Sequence, residues 1–446
     1  MISGKLRNET LQLLREQTGT QTDDHQALDN RTVRHALVGL LNVVLARQDQ
    51  AFIIGAIEIL RAAIPEFHAI FDWDAPTPAL SLEKMRQLRP KNMPLVTNPL
   101  PPAGAPRVKH RVLIVLLKNY MMTAMRFVIA MDRYGWQTEI CNELPLTEAS
   151  AEGDCRIIAE ICRQKKVDIL LFDAPRFNFM GAAHPHYIAM KKQLQQEHPL
   201  LRVLGLSLDS SEGIEKFLLE TMGDFFDGLL QCHHDPAAPH MRDNPHFRKK
   251  ILHDHLIPFN DQNFGSTEKP LVPNLFFRGS IRHPHWARVL WLAAAGHVGL
   301  PVTQEVNQFL DTNDITRYDP SPAYRRWLLD DYATYMRKYT DATCCLSVLM
   351  FGNMARYLTG RSFEVLLSGA LLVQEYSPLM HNHFIPGEHY LEFTTIAELV
   401  SIVHFMREHP EEAEEVRRRG HAFACERYND VRIVGQIDKL LYFPEE

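Results

Sequence analysis

The chain has 446 residues, long enough for two or three domains because a single hydrophobic core stops growing at roughly 250–300 residues. Hydrophobic residues make up 46% and charged residues 23% of the sequence, the composition of an ordinary globular protein. The formal net charge of −6 offers no positive field for a phosphate backbone, so the composition argues against nucleic acid as a partner.

No segment of the sequence has the pattern of a membrane span or a signal peptide. The longest apolar runs, residues 36–45 and 51–60, are shorter than the roughly 20 residues that cross a bilayer. The seven cysteines are odd in number and dispersed, which is typical of buried reduced thiols, and no pair has zinc-finger spacing. We therefore expect a cytoplasmic protein with no transmembrane segment and no structural metal.

The first 90 residues carry apolar side chains at helical spacing and no alternating β pattern. They predict a helical N-terminal domain whose role is docking or dimerisation, so a homo-oligomer could form through these helices. Residues 91–109 are rich in proline, which fixes φ and removes a backbone donor, and they predict a linker.

Residues 110–258 alternate between strand and helix patterns. A continuous apolar run at residues 111–117 is typical of a strand that is covered on both faces. Alternation of this kind predicts a parallel sheet with helices on both faces, a Rossmann-like domain. Further strands are predicted at 137–141, 167–172, 202–207 and 226–230, and helices at 120–133, 155–164, 187–197 and 213–222.

Residues 259–446 predict a second α/β domain. Its strands are expected at 274–279, 343–349 and 370–375, and its helices at 285–295, 322–339 and 361–368. Three helices close the chain: 396–408, which Thr395 and Glu398 open as a capping box; 411–419, which Gly420 ends; and 431–441.

The stretch 353–373 places a polar turn, a helix start and a buried strand in immediate succession. Gly360 lets the backbone approach a ligand closely, and the free N–H groups of the helix that follows suit a phosphate. Arg361 adds a permanent positive charge, and Glu364 is placed one turn later to accept hydrogen bonds from sugar hydroxyls. The alternative is that Arg361 and Glu364 form an ion pair on the helix surface.

The string Thr-Gly-Arg-Ser-Phe-Glu-Val-Leu-Leu-Ser-Gly-Ala-Leu-Leu-Val, which begins at Thr359, closely resembles the C-terminal domain of spore-maturation (CgeB-like) glycosyltransferases. These are relatives of the family 4 retaining enzymes. The resemblance covers about the last 170 residues. It implies an α/β protein of the GT-B class, with two Rossmann-like domains that face a cleft. It also implies transfer from a nucleotide diphosphate sugar such as a UDP-sugar, with retention, and with neither metal nor cofactor.

The resemblance also implies roles for individual residues. Glu364 matches the glutamate that holds the ribose hydroxyls, and Gly360 and Arg361 match the turn beside the phosphates. Asn353, Thr359 and Ser362 complete the donor-binding set on this stretch. Many relatives carry another glutamate eight positions before the ribose-binding one, and this chain has Arg356 there.

A second candidate donor contact follows the strand at residues 274–279. GT-B proteins generally open their donor domain with a strand that ends in a glycine turn, so Gly279, Ser280 and Arg282 are candidates to line the diphosphate. A tight turn without ligand contact is the alternative for Gly279.

Acceptor-side candidates follow strands of the first domain, because open α/β sheets bind ligands at the carboxyl ends of their strands. His184 and His186, on a predicted loop, and Asp209 are candidate acid/base or sugar-contacting residues. Plain surface or turn residues are the alternative. The spacings of the histidine cluster that starts at His233 match neither the HExxH nor the zinc-deaminase pattern, so we expect no metal.

The sequence thus predicts a glycosyltransferase that moves a sugar to a protein or glycan acceptor. Two alternatives stay open at this point. One is a sugar-nucleotide epimerase of the same architecture, because fold does not fix function. The other is a non-catalytic nucleotide-binding scaffold, whose working part would be the N-terminal helices.

Overall fold

The structure is a computed structural model that describes residues 50–63, 65–93, 95, 109–115, 121–141, 144–173, 183–207, 224–231, 251–254, 260–279, 286–306, 333–349 and 358–442. Its strands are β1 (Arg111–Val115), β2 (Gln137–Cys141), β3 (Ile169–Asp173), β4 (Arg202–Ser207), β5 (Gly228–Gln231), β6 (Ile251–Asp254), β7 (Leu275–Gly279), β8 (Val302–Val306), β9 (Cys344–Ser347), β10 (Leu371–Glu375) and β11 (Leu391–Phe393). Its helices are α1 (Gln50–Ala63), α2 (Pro65–Ile70), α3 (Leu82–Gln87), α4 (Met121–Tyr134), α5 (Ala151–Lys165), α6 (His184–Glu197), α7 (Trp286–His297), α8 (described over 333–342), α9 (Gly360–Leu367), α10 (Ile396–Glu408), α11 (Pro410–Arg427) and α12 (Asp430–Tyr442).

The first domain is built on a six-stranded sheet in the order β2-β1-β3-β4-β5-β6, and its strand pairs are parallel. The apolar side chains of β1 point to both faces of the sheet, and both faces are covered by helices. Leu113 and Val115 pack in the core under α5 and α6, whereas Val112 and Ile114 pack in the core under α4. Successive strand residues point to opposite faces, so one short run contributes to two cores.

The second domain is built on a five-stranded sheet in the order β11-β10-β9-β7-β8, again with parallel pairs. Cys344 and Cys345 lie in the cores on opposite faces of β9, as the sequence predicts. Two parallel sheets with helices on both faces are the Rossmann-like domains of the predicted fold class, α/β of the GT-B type, and that prediction is confirmed.

The described part of the predicted N-terminal domain is built into the second domain. Phe52 and Ile57 of α1, Phe71 after α2 and Met85 of α3 belong to the same core as one face of the second sheet. The ring centroid of Phe71 lies 4.9 Å from that of Trp291 in α7. The first 49 residues lie outside the described part, so the prediction of dimerisation through them stays a prediction.

The last helix, α12, leaves the second domain and packs on the first. Its apolar residues Ile433, Val434 and Ile437 share a core with α4 and the strands of the first sheet. Arg133 of α4 contacts both of the segments in which the chain passes between the domains. Its Nη1 donates to Asn260 Oδ1 at 2.8 Å and contacts Asp430 at the start of α12. The sequence had grouped this helix with the second domain.

Most other predicted elements that fall on described residues agree closely with the structure, with one clear correction; the predicted helix at 213–222 and residues 322–332 of the predicted helix at 322–339 lie outside the described residues. Thr395 and Glu398 form the predicted capping box at the start of α10. Gly420, in contrast, does not end a helix, because α11 continues to Arg427. A Cβ at Gly420 would lie 2.0 Å from the carbonyl oxygen of His389, so the glycine permits a close approach between two backbones.

Candidate functional site

The candidate site lies where α9 begins, at the carboxyl end of the second sheet. Thr359 is the N-cap residue in an extended conformation, with φ −100° and ψ 149°, and α9 starts at Gly360. The hydroxyl of Thr359 is buried and has no hydrogen-bond partner among the described residues. The cap position therefore presents an unused polar group next to the first helical turn, where the Ser362 N–H donates to the Thr359 carbonyl oxygen at 3.1 Å.

Arg361 is the charged side chain whose surroundings indicate a ligand most directly. It is 9% exposed, and neither Nε nor Nη1 has a hydrogen-bond partner in the described part of the chain. Its guanidinium packs over the ring of Phe277 in β7, with Cζ 4.9 Å from the ring centroid. Buried guanidinium N–H groups without partners are costly, so an anionic ligand at Nε and Nη1 would stabilise this arrangement.

Gly279 leaves the space that the Arg361 guanidinium fills. A Cβ at Gly279 would lie 1.9 Å from Nη2 of Arg361. The structure therefore brings together two of the predicted donor-binding residues, one at the end of β7 and one in the first turn of α9. The distance indicates that a side chain at position 279 would displace the guanidinium.

Glu364 is buried one turn after Arg361 and is 3% exposed. Its Oε2 accepts a hydrogen bond from the Tyr335 hydroxyl at 2.8 Å, and its Oε1 contacts Nη2 of Arg126 in a salt bridge. The predicted alternative, a surface ion pair with Arg361, is wrong because both side chains are buried and Glu364 pairs with Arg126.

Two tyrosines of α8 support the Glu364 carboxylate. The hydroxyls of Tyr335 and Tyr339 are 2.7 Å apart. Burial, followed by the nearby charge of Glu364, raises the pKa of Tyr335 well above its usual value, and burial raises the pKa of Tyr339 to about 12. Both phenols therefore stay protonated at neutral pH, and Tyr335 remains a hydrogen-bond donor to Glu364.

Ser362 points into the protein. Its hydroxyl is fully buried and donates to Oε1 of Gln374 in β10 at 2.8 Å, while Nε2 of Gln374 donates to the carbonyl oxygen of Glu375. These bonds fix α9 to the end of β10. The side chain of Ser362 thus serves to position the helix in this structure, and its predicted contact with the donor stays a prediction.

The predicted acceptor-side histidines lie in a helix and not in a loop. The helix α6 begins at His184, three residues earlier than the sequence predicts, with Pro185 in its first turn, where a missing N–H costs nothing. His184 is buried, and His186 is exposed. Four other predicted site residues lie outside the described residues: Asp209, Ser280, Arg282 and Asn353.

Sequence reasoning missed Arg126, Tyr335 and Tyr339. Arg126 lies 238 positions from Glu364, and no local pattern connects the two. The tyrosines carried a weak signal, since two aromatic hydroxyls four positions apart share one face of a helix. Among the described residues, no group of three or more His, Cys, Asp or Glu side chains could hold a metal ion.

Comparison with known proteins adds a family match over part of the chain. Residues 314–438, which include α9, match the model of a family described as glycosyl transferase-like. A search of curated proteins finds no match. No helix in the described part of the chain combines the length and apolar character that a membrane crossing needs.

Several solved structures are similar over most of their length. HepE from Anabaena in complex with UDP-glucose is 9% identical with a TM-score of 0.49, over 74% of this chain and 98% of that chain. Sucrose-phosphate synthase from Thermosynechococcus elongatus is 12% identical with a TM-score of 0.48, over 74% and 98% of the two chains. UDP-GlcNAc 2-epimerase from Neisseria meningitidis is 10% identical with a TM-score of 0.41, over 73% and 99%. At such low identities, no substrate or reaction is carried over from them.

Proposed function

We propose that this protein is a glycosyltransferase that takes its sugar from a nucleotide diphosphate sugar bound at the start of α9. One observation carries the proposal: Nε and Nη1 of the buried Arg361 guanidinium, and the Thr359 hydroxyl next to it in sequence, have no hydrogen-bond partner among the described residues, and they lie at the N-terminus of a helix. A diphosphate would supply the acceptor oxygens that these groups lack, and the helix dipole would favour its charge.

In this proposal, each group acts on a different part of the donor. Arg361 and the first turn of α9 stabilise the negative charge that develops on the diphosphate as the sugar leaves. Glu364 accepts hydrogen bonds from the ribose hydroxyls, because an ionised carboxylate is an acceptor with four lone-pair sites. A cationic side chain and a helix terminus can neutralise the leaving group, so we propose a metal-independent reaction that needs no cofactor.

The finer features of the proposal come from the sequence resemblance to the spore-maturation glycosyltransferases. They are retention of stereochemistry, a UDP-linked donor and a protein or glycan acceptor that enters from the first domain. His184, His186 and Asp209 stay the predicted acceptor-side residues, of which His186 is exposed in the structure. The family match over residues 314–438 supports sugar transfer as the general reaction.

Calorimetric titration of the purified protein tests the donor site. The ligands are UDP, GDP and ADP, followed by sugar conjugates of the nucleotide that binds. We expect micromolar binding of one nucleotide, weakened about 10- to 100-fold in Glu364→Gln, because a hydrogen bond to a charged group contributes about 1.5–3 kcal/mol. Glu392→Gln is a matched control, since Glu392 is a similarly buried carboxylate of the same domain, 4% exposed, and is bonded to His381 and Tyr390.

The outcomes separate the proposal from its alternatives. Selective binding that Glu364→Gln weakens and Glu392→Gln leaves unchanged supports a donor site at α9. Absence of binding to every nucleotide would contradict the proposal, whereas binding of a nucleotide with neither sugar transfer nor epimerisation would favour a nucleotide-binding scaffold. Binding of a nucleotide sugar that is interconverted with its epimer, with no transfer to any acceptor, would instead favour an epimerase.

A further inference from the structure

The contact between Arg126 and Glu364 joins the two domains directly at the candidate donor site. Arg126 lies on α4, which packs on the first sheet, and Glu364 lies on α9, which packs on the second sheet. Their side chains are 16% and 4% exposed. A residue of the first domain therefore reaches into the second domain and covers one oxygen of the carboxylate assigned to the ribose.

Glu364 cannot meet a ligand while this arrangement lasts. Arg126 contacts Oε1, Tyr335 donates to Oε2, and the side chain is almost fully enclosed. A ribose hydroxyl must come within about 3 Å of a carboxylate oxygen to donate a hydrogen bond. A group that encloses Glu364 must therefore leave before a nucleotide can use its carboxylate, and Arg126 and Tyr335 are enclosing groups that contact its oxygens.

Arg126 is the covering group that can leave. Tyr335 belongs to the same domain as Glu364, its hydroxyl is bonded to that of Tyr339, and its ring packs against Arg278, whose Cζ lies 4.4 Å from the ring centroid. Arg126, in contrast, is carried by the other domain. Movement of the first domain away from the second would withdraw Arg126 and leave Tyr335 in place.

We propose that Arg126 is a cover for the donor site that competes with the ribose of the nucleotide for Glu364. The inference rests on the proposed function, because it assigns Glu364 to the ribose. The empty protein is held closed by the Arg126–Glu364 pair, and the donor binds only to the fraction of molecules in which that pair is broken. The apparent affinity is reduced by that fraction, and removal of the cover restores it.

The test compares nucleotides with and without ribose hydroxyls. UDP, GDP and ADP, and their 2′,3′-dideoxy counterparts, are titrated into the wild type and Arg126→Gln by calorimetry. For the nucleotide that binds, we expect Arg126→Gln to tighten the ribonucleotide about tenfold, since the competing pair is lost. The dideoxy form makes no demand on Glu364, so its affinity is expected to be unchanged. Thermal melting verifies that the variant is folded.

Arg133→Gln is the matched control. Arg133 lies on the same helix and also contacts the second half of the chain, at Asn260 and Asp430, but not Glu364. We expect Arg133→Gln to change the affinities for the ribonucleotide and for its dideoxy form by the same factor. In addition, Arg126→Gln should have no effect on nucleotide affinity when it is introduced into Glu364→Gln, because the competition then has no charged target.

Three results would overturn the inference. Weaker ribonucleotide binding in Arg126→Gln would make Arg126 a direct donor contact. Equal tightening of both nucleotide forms would mean that the pair only limits domain opening. Absence of binding to both wild type and variant would remove the proposed function together with the inference. The first two results leave the donor site itself intact, so the two failures are distinguishable.

Discussion

Replacement of Phe71 by alanine tests whether the N-terminal helices are part of the second domain. Phe71 is fully buried and packs against Trp291 of α7, in the same core as the second sheet. Truncation of a buried phenylalanine to alanine costs about 3–5 kcal/mol, through lost transfer energy and the cavity that remains. That loss is a large part of the 5–15 kcal/mol that is typical of a whole domain.

Urea unfolding followed by the fluorescence of the five tryptophans, one of which is Trp291 in contact with the replaced ring, measures the effect. Phe71→Ala should lower the midpoint of the unfolding transition, whereas Leu88→Ala, at a side chain 58% exposed just after α3, should change the free energy of unfolding by less than about 0.5 kcal/mol. A loss below about 1 kcal/mol in Phe71→Ala would refute the shared core, because a separate helical domain would leave the second sheet unaffected.

Two further substitutions test the packing and the electrostatics of the C-terminal helices. Gly420→Ala should destabilise the protein by about 1–3 kcal/mol in thermal or urea unfolding, since a Cβ there meets the His389 carbonyl at 2.0 Å; a stabilisation, as helix propensity alone predicts, would contradict the close approach. Burial outweighs the opposing effect of Arg133 and raises the pKa of Asp430 from 3.8 to about 6. The folded protein therefore binds the Asp430 proton more tightly than the unfolded chain, and the free energy of unfolding of the wild type relative to Asp430→Asn should fall by about 2–3 kcal/mol as pH rises from 4 to 7. A difference that is constant across this range in urea titrations would show that Asp430 titrates normally.

Most of the fold could be predicted from the sequence because the central strands are continuous apolar runs. The strands β1, β3, β4, β9 and β10 all lie inside their sheets. Three strands that the sequence did not predict, β6, β8 and β11, all lie at sheet edges. An edge strand has one side open to solvent, so its side chains are mixed: β8 reads Val-Thr-Gln-Glu-Val, which local patterning does not separate from a loop.

The candidate site could be predicted only in part. Thr359, Gly360, Arg361 and Glu364 are close in sequence, so a turn followed by a helix places them together without any knowledge of the tertiary fold. Arg126 belongs to the same site through a contact with a residue 238 positions away. Only the packing of one domain against the other determines that neighbour. Local spacing therefore identifies the residues at the start of α9, but not the residues that other elements contribute to the site.

The order of segments along the chain has a consequence for how this protein is made. Helices α1–α3 come first but pack on the second sheet, and α12 comes last but packs on the first sheet. During synthesis the N-terminal part of the chain leaves the ribosome first. The apolar faces of α1–α3 are therefore exposed until β7 and α7 have emerged to cover them. The first sheet in turn waits for α12. Neither domain corresponds to one contiguous fragment, so a cut between β6 and β7 would leave each piece with an uncovered face, and chaperone binding to the nascent N-terminal helices is expected until the second sheet has formed.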